Sequence, residues 1–171
     1  MDHQRILESS TPADVGRLYR DHVLSLIRLA MLMVGDSPTA EDVVQEAFLG
    51  LHRRQGLLRD PDRALAYVRS AVLNRCRSVL RRRAVARRFG QSQQPPAWSA
   101  EDGVLATERR HQMLAAIARL PLRQREVLAL RFYCDLPENE IAGVLGISRG
   151  TVSSTTSRAL TALAQILEEE S

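Results

Sequence analysis

The apolar positions of this 171-residue chain read as a succession of amphipathic helices. Val15, Leu18, Tyr19, Val23, Leu26, Leu29, Ala30 and Met33 recur at helical spacing, which predicts a helix from about Ala13 to Met33. Gly35 ends it, and Ser37 and Pro38 restart the chain as N-cap and first helical position. A second helix, roughly Pro38 to Arg54, turns Ala40, Val43, Val44, Ala47, Phe48 and Leu51 inward. Gly56 and Pro61 make Gln55–Asp62 a loop. A third helix runs from about Arg63 to Arg83 or beyond, with Ala64, Val68, Ala71, Val72, Cys76, Val79 and Leu80 as its inner stripe. Gly90 to Ala100 has no period and two prolines, so it reads as a linker; its Trp98 is expected to pack on a neighbouring surface. The apolar period resumes near Leu105 and passes through Met113, Ala116, Ile117 and Leu120 to a stop at Pro121. Another helix follows from Arg123 to about Tyr133. The pattern predicts an all-α fold: two small helical domains, 13–88 and 107–167, joined by a flexible linker over 89–106.

Asp135 to Leu163 reads as a helix-turn-helix. Asp135 and Glu138 have capping-box spacing, with Pro137 in the first turn. Ile141, Ala142 and Leu145 give a short helix its apolar face, and Gly146 suits a positive-φ corner. Ser148 is the expected cap of the next helix, whose inner face carries Val152, Thr156, Ala159, Leu160, Leu163 and Leu167. Its outer face is small and polar, with Ser153, Ser154, Ser157 and Arg158, and Arg149 at the entrance. Short hydroxyl side chains let a backbone approach the major groove, where Arg reads guanine edges or phosphate. An ordinary helical hairpin with a solvated face is the plainer alternative.

Charge changes the picture of the first domain. All 24 basic residues are Arg, a forked cation matched to phosphate. Residues 1–62 carry seven Arg against ten acids, and residues 63–88 carry nine Arg and no acid. Arg69, Arg75, Arg77, Arg81, Arg82 and Arg83 fall off the inner stripe of the third helix. Such a block calls for an anion alongside, and a nucleic-acid backbone is the natural one. Tyr67 and Asn74 on the same helix can stack on a base or hydrogen-bond to one. Anionic membrane is the competing partner, but the apolar stripe is committed to a core and lacks Phe and Trp. On the second helix Asp42, Gln45, Glu46 and Leu49 lie at i, i+3, i+4 and i+7. A Leu among acids suits a basic, partly apolar partner helix; a plain solvated face is the other reading.

Other chemistries find little support. No apolar run is long enough to span a membrane, and the polar N-terminus does not resemble a signal peptide. Cys76 and Cys134 lie in helical patterns without ligand-like neighbours and read as thiols of a reducing compartment. His3, His22, His52 and His111 are scattered, and no phosphate loop or catalytic constellation accompanies them. No metal, cofactor or enzymatic activity is expected.

The chain resembles an extracytoplasmic-function (ECF) sigma factor, the minimal two-domain group of the sigma-seventy family. Ala40-Glu41-Asp42-Val43-Val44-Gln45-Glu46-Ala47-Phe48 is similar to the region-two signature of that family. Leu120-Pro121-Leu122-Arg123-Gln124-Arg125-Glu126-Val127-Leu128 and Ile147-Ser148-Arg149-Gly150-Thr151-Val152 are similar to its region four. The resemblance covers about residues 13–84 and 107–166, and the three stretches in this order are what make it specific.

The resemblance implies that Asp42, Gln45, Glu46 and Leu49 bind core RNA polymerase. It implies that the loop with Arg59 and Asp60, together with Tyr67, Arg69, Asn74, Arg75, Arg77 and Arg81, holds the minus-ten element, the loop capturing a flipped base. Arg149, Ser153, Ser154, Ser157 and Arg158 would read the minus-thirty-five element, and the linker would thread near the RNA exit path. Ser153, Ser154 and Thr155 stand where the family commonly has Lys-Ser-Arg, which implies fewer or different contacts by this helix. Tyr67 stands nearest a position where the family usually has Trp. The implied partners are core RNA polymerase, promoter DNA and an anti-sigma factor, in the cytoplasm and without membrane insertion. Little chain follows the helix-turn-helix, so regulation is expected from another protein or from expression. The free protein is expected to bind duplex promoter DNA poorly, with its basic helix packed on the second domain or held by an anti-sigma factor. A helix-turn-helix regulator acting without polymerase is the alternative, though it leaves the acidic face and Arg block unexplained. A recombinase or nuclease is a third reading, for which the sequence places no nucleophile or paired carboxylates in a plausible site.

Overall fold

The computed structural model describes residues 14–54, 56, 59–91 and 108–169, and among them every regular element is helical. Three helices form the first domain: α1 (Val15–Val34), α2 (Ser37–His52) and α3 (Pro61–Arg88). Asp14 opens α1 by accepting the Gly16 N–H at 2.9 Å, and Gly35 closes it at φ 84°. The cap of α2 falls one residue earlier than the periodicity suggested. Asp36 accepts the Thr39 N–H at 3.0 Å, while the Ser37 hydroxyl donates to Glu41 Oε1. A carboxylate is the stronger acceptor for the free N–H groups of a first turn.

Helix α3 likewise begins two residues before Arg63. Asp60 caps it through the Asp62 and Arg63 N–H groups at 3.0 and 3.3 Å, and Pro61 fills N1, where no donor is needed. At 28 residues the helix is roughly 42 Å long. The predicted stripes of α1, α2 and α3 meet in one aliphatic core, except that Leu80 stands half-buried outside it and Tyr19 is 36% exposed, packed edge to face on Phe48 at 5.0 Å.

The second domain holds α4 (Glu108–Arg119), α5 (Leu122–Leu128), α6 (Glu138–Leu145) and α7 (Arg149–Glu169). Helix α5 runs on as a π-helical turn, Ala129–Tyr133, closed by the Cys134 N–H on Ala129 O at 3.0 Å. Asp135 does not cap α6. It sits at φ 53°, a left-handed corner that Asp tolerates, and Pro137 occupies the N-cap with no side-chain bond. The corner at Gly146 (φ 65°) and the cap by Ser148, whose Oγ accepts the Thr151 N–H at 3.1 Å, are as the sequence predicts. The inner face of α7 is rotated from the expected one: Val152, Thr155 and Ala159 are buried, whereas Leu160 is 45% exposed.

The two domains meet along a seam. Val127, Leu130, Ile141, Val144 and Val152 belong to the same buried cluster as the stripes of α1, α2 and α3. A smaller cluster of Leu120, Leu128 and Ala159 ties α7 to the α4–α5 corner. Leu73, beside Cys76 and Leu80 at the edge of the predicted stripe, is also fully buried, and α6 is a second-domain helix that packs on α3. Trp98 and the linker proposed at 89–106 lie largely outside the described residues, as do Leu105 and Gln55.

Candidate nucleic-acid interface

The acidic face of α2 is presented as its periodicity requires. Asp42, Gln45, Glu46 and Leu49 are all exposed, Leu49 by 56%, because Val43, Val44, Ala47 and Phe48 take the inward positions. Glu46 Oε2 accepts from Arg75 Nε at 3.2 Å. Thr39, Asp42, Glu46, Arg75, Ser78 and Arg82 line a mixed-charge groove of about 410 Å³ between α2 and α3. An apolar knob beside carboxylates in an open groove can grip a helix carrying Arg or Lys and an apolar stripe.

The arginines of α3 divide into two sets. Arg83 belongs to the fold: it donates to Val34 O and Asp36 Oδ2 at 2.6 Å each and to Thr39 Oγ1 at 2.9 Å. Burial pushes the Asp36 carboxyl up, but the Thr39 and Arg83 bonds outweigh it and hold it below its ordinary range. Arg75 pairs with Glu46, and Arg77 Nε donates to Glu126 Oε1 at 2.6 Å. Arg81, Arg82, Arg87 and Arg88 are exposed. The block without acids in sequence therefore finds three carboxylates in space, contributed by α2, its cap and α5.

The other residues expected at the minus-ten surface take varied positions. Tyr67 is half-buried beneath the Arg54 guanidinium, 5.2 Å from its ring centre. A Cβ on Gly50 would stand 3.0 Å from the Tyr67 hydroxyl, so only glycine there gives the ring full room. Arg59 is exposed, Arg69 is half-buried, and the Asp60 carboxylate is committed to capping α3. Asn74 is exposed but its Oδ1 accepts from Arg77 Nη1 at 2.6 Å. Sequence reasoning missed Arg54 and the role of Glu126. The only local sign of the latter is an acid between arginines and apolar residues.

On α7, Arg149, Ser153, Ser154, Ser157 and Arg158 are all exposed along one outward side. Arg158 Nε donates to Ser154 O at 3.2 Å, which folds that guanidinium back along the helix. Small residues flanked by two arginines leave the backbone free to approach a groove. Cys76 is buried, with its thiol pushed up to about 12 by burial and by the Glu126 charge; burial also raises Cys134. Both thiols are free. Among the described residues no group of His, Cys, Asp and Glu could hold a metal, and no helix is long and apolar enough to cross a membrane.

Family models and known proteins match this chain over most of its length. The family model for sigma-70 region 2 matches residues 18–86, and that for sigma-70 region 4 matches residues 110–163. The ECF RNA polymerase sigma factor SigL of Mycobacterium tuberculosis is 33% identical over 159 residues, covering 89% of this chain and 88% of the relative. A solved structure of CnrH in complex with the cytosolic domain of CnrY is 26% identical, with a TM-score of 0.67 over 92% of this chain and 89% of that one. The sigma factor RpoE of Bartonella quintana, solved with the anti-sigma factor NepR, has a TM-score of 0.70 at 19% identity, covering 89% of this chain and 97% of that one.

Proposed function

As a member of the sigma-70 family, in its extracytoplasmic-function group, the chain is an alternative sigma factor that binds core RNA polymerase and directs transcription initiation at promoters, and we propose which residues do each part. The observation that carries the reading is the presence of both promoter-directing regions in one chain, in order, over nearly all of its described helices.

In this reading the domains are 13–88 and 107–167 with a linker over 89–106. Asp42, Gln45, Glu46 and Leu49 grip a basic, partly apolar surface of the polymerase. Arg59, Tyr67, Arg69, Asn74, Arg75, Arg77 and Arg81 hold the minus-ten strand, the arginines on phosphate and Tyr67 by stacking. Asp60 contributes by fixing the start of α3 rather than by contact. Arg149, Ser153, Ser154, Ser157 and Arg158 lie in the major groove of the minus-thirty-five element. The chain itself catalyses nothing; phosphodiester chemistry belongs to the polymerase, and both work in the cytoplasm. An anti-sigma factor is the third partner, by likeness to the paired chains.

Footprinting of reconstituted holoenzyme tests the assignment. With the wild-type chain, protection should cover both promoter elements. Asn74→Ala should weaken the downstream window selectively, and Arg149→Ala the upstream one. Unchanged protection in both variants would contradict it.

A further inference from the structure

Helix α3 outruns the core it packs on. Its last fully buried residue is Cys76, yet the helix continues to Arg88, roughly 18 Å farther. Residues 77–88 hold six Arg and no acid. Arg83 anchors the middle of this extension to Val34 O and Asp36 Oδ2. The end is fixed too: Gly90 stands at φ 75°, and the Gln91 and Gly90 N–H groups donate to Ala86 O and Arg87 O, at 3.2 Å each. Those paired bonds are a Schellman stop, so the helix ends cleanly rather than by fraying.

The open side of the extension is mixed in character. Arg81, Val85, Arg88 and Phe89 fall at i, i+4, i+7 and i+8 and share one face, which Asn74 begins two turns earlier. Among the described residues no carboxylate is bonded to Arg81, Arg82, Arg87 or Arg88, and all four are exposed. The negative pole of the helix accounts for cations in its last turn. It does not account for Phe89, which at 82% is the most exposed large apolar side chain among the described residues, nor for Val85 beside it. Arg88 and Phe89 also lie past residue 86, where the region 2 match ends.

We propose that the face from Val85 to Phe89 is a further DNA contact: it takes the duplex immediately upstream of the minus-ten element, with Arg88 on phosphate and Phe89 as a wedge at the first paired step. The contact rests on the assignment of Asn74 and Arg81 to the minus-ten strand. From Asn74 to Arg88 the helix rises about 21 Å, the length of roughly six base pairs. The chain then leads to the second domain, read as bound at the minus-thirty-five element. The DNA beside this rise is therefore the spacer, which stays paired. Phosphate is the anion that an acid-free arginine face matches. Phe beside arginines is the composition that proteins insert between base steps, and the edge of melted DNA is where unstacking costs least.

The test uses holoenzyme and two fluorescein-labelled probes from a promoter it protects. One is the minus-ten single strand; the other carries one helical turn of duplex upstream of it. Wild type should bind the forked probe on the order of tenfold more tightly than the single strand. Arg88→Ala/Phe89→Ala should lose most of that gain and bind the single strand as wild type does. Arg88→Ala alone should flatten the slope of log K against log salt on the forked probe by about 0.9, one duplex phosphate. A 2-aminopurine at the first paired position should brighten with wild type and stay dark with Phe89→Ala. Both side chains are exposed, so melting temperatures should not move. An unchanged fork preference in the double variant overturns the contact. Equal weakening on both probes with poorer capture of core polymerase also overturns it, and places this face on the polymerase. Asn74→Ala checks the underlying assignment by itself and should weaken both probes alike. If it weakens neither, the minus-ten assignment falls, while the fork preference still decides the upstream contact.

Discussion

Arg83 Nη2 lies 2.6 Å from Asp36 Oδ2, so an arginine in the most basic stretch of the chain serves a helix cap. Asp36→Ala removes both the cap of α2 and this anchor and should cost about 1–2 kcal/mol at neutral pH. The folded carboxyl is held below its ordinary value of 3.8, so its contribution is present above that value and fades as pH falls through the folded one. Thermal melts of wild type and variant should therefore differ at pH 7 and converge on acidification. A difference that persists unchanged at pH 3 would show that the charge is not what stabilises α2.

The two sets of arginines predict different salt dependence. Arg81 is exposed, whereas Arg83 is bonded within the protein. Arg81→Ala should reduce the slope of log K against log salt for single-stranded DNA by about 0.7, the value of one phosphate contact. Arg83→Ala should leave the slope unchanged while lowering the melting temperature. Titrations of holoenzyme with single-stranded minus-ten DNA at several salt concentrations read the slopes, and thermal melts of the free protein read the stability.

Ile141 is fully buried where α6 joins the shared core. Ile141→Ala should destabilise the protein by about 2–5 kcal/mol, as for other large-to-small core changes. Because that core runs through both domains, denaturation should remain one transition in wild type and split or broaden in the variant. Two separate transitions in the wild type would contradict the shared core.

A side chain at Gly50 would meet the Tyr67 hydroxyl, 3.0 Å from its Cβ. Gly50→Ala should displace the ring by a few tenths of an ångström and weaken minus-ten binding, with little loss of helix since Ala favours α2 by roughly 0.5–1 kcal/mol. Permanganate reactivity of the melted strand in the holoenzyme complex should fall. Reactivity equal to wild type would remove Tyr67 from the account.

Much of this was legible from residue spacing. The buried stripes of α1 and α2, the exposure of Asp42, Gln45, Glu46 and Leu49, and the Gly146 corner follow from local period and local backbone need. What escaped was contact between elements distant in the chain. Nothing near Arg77 or Arg83 announces carboxylates 47 to 49 positions away. Leu73 sits at the edge of its own stripe and is buried on a helix that a second-domain element, α6, also packs against. The caps slipped at Ser37 and Asp135 because several polar residues near each start are competent, and the backbone angle chooses among them.

Capture by bacterial core RNA polymerase is the most direct test of the central claim. Wild-type protein should be retained stably, whereas Asp42→Arg/Leu49→Arg, both on exposed positions of α2, should be lost at unchanged melting temperature. Retention of both proteins would show that the acidic face is not the polymerase grip. Retention of neither, with tight duplex binding by the wild type alone, would contradict the sigma-factor account and leave a helix-turn-helix regulator in its place.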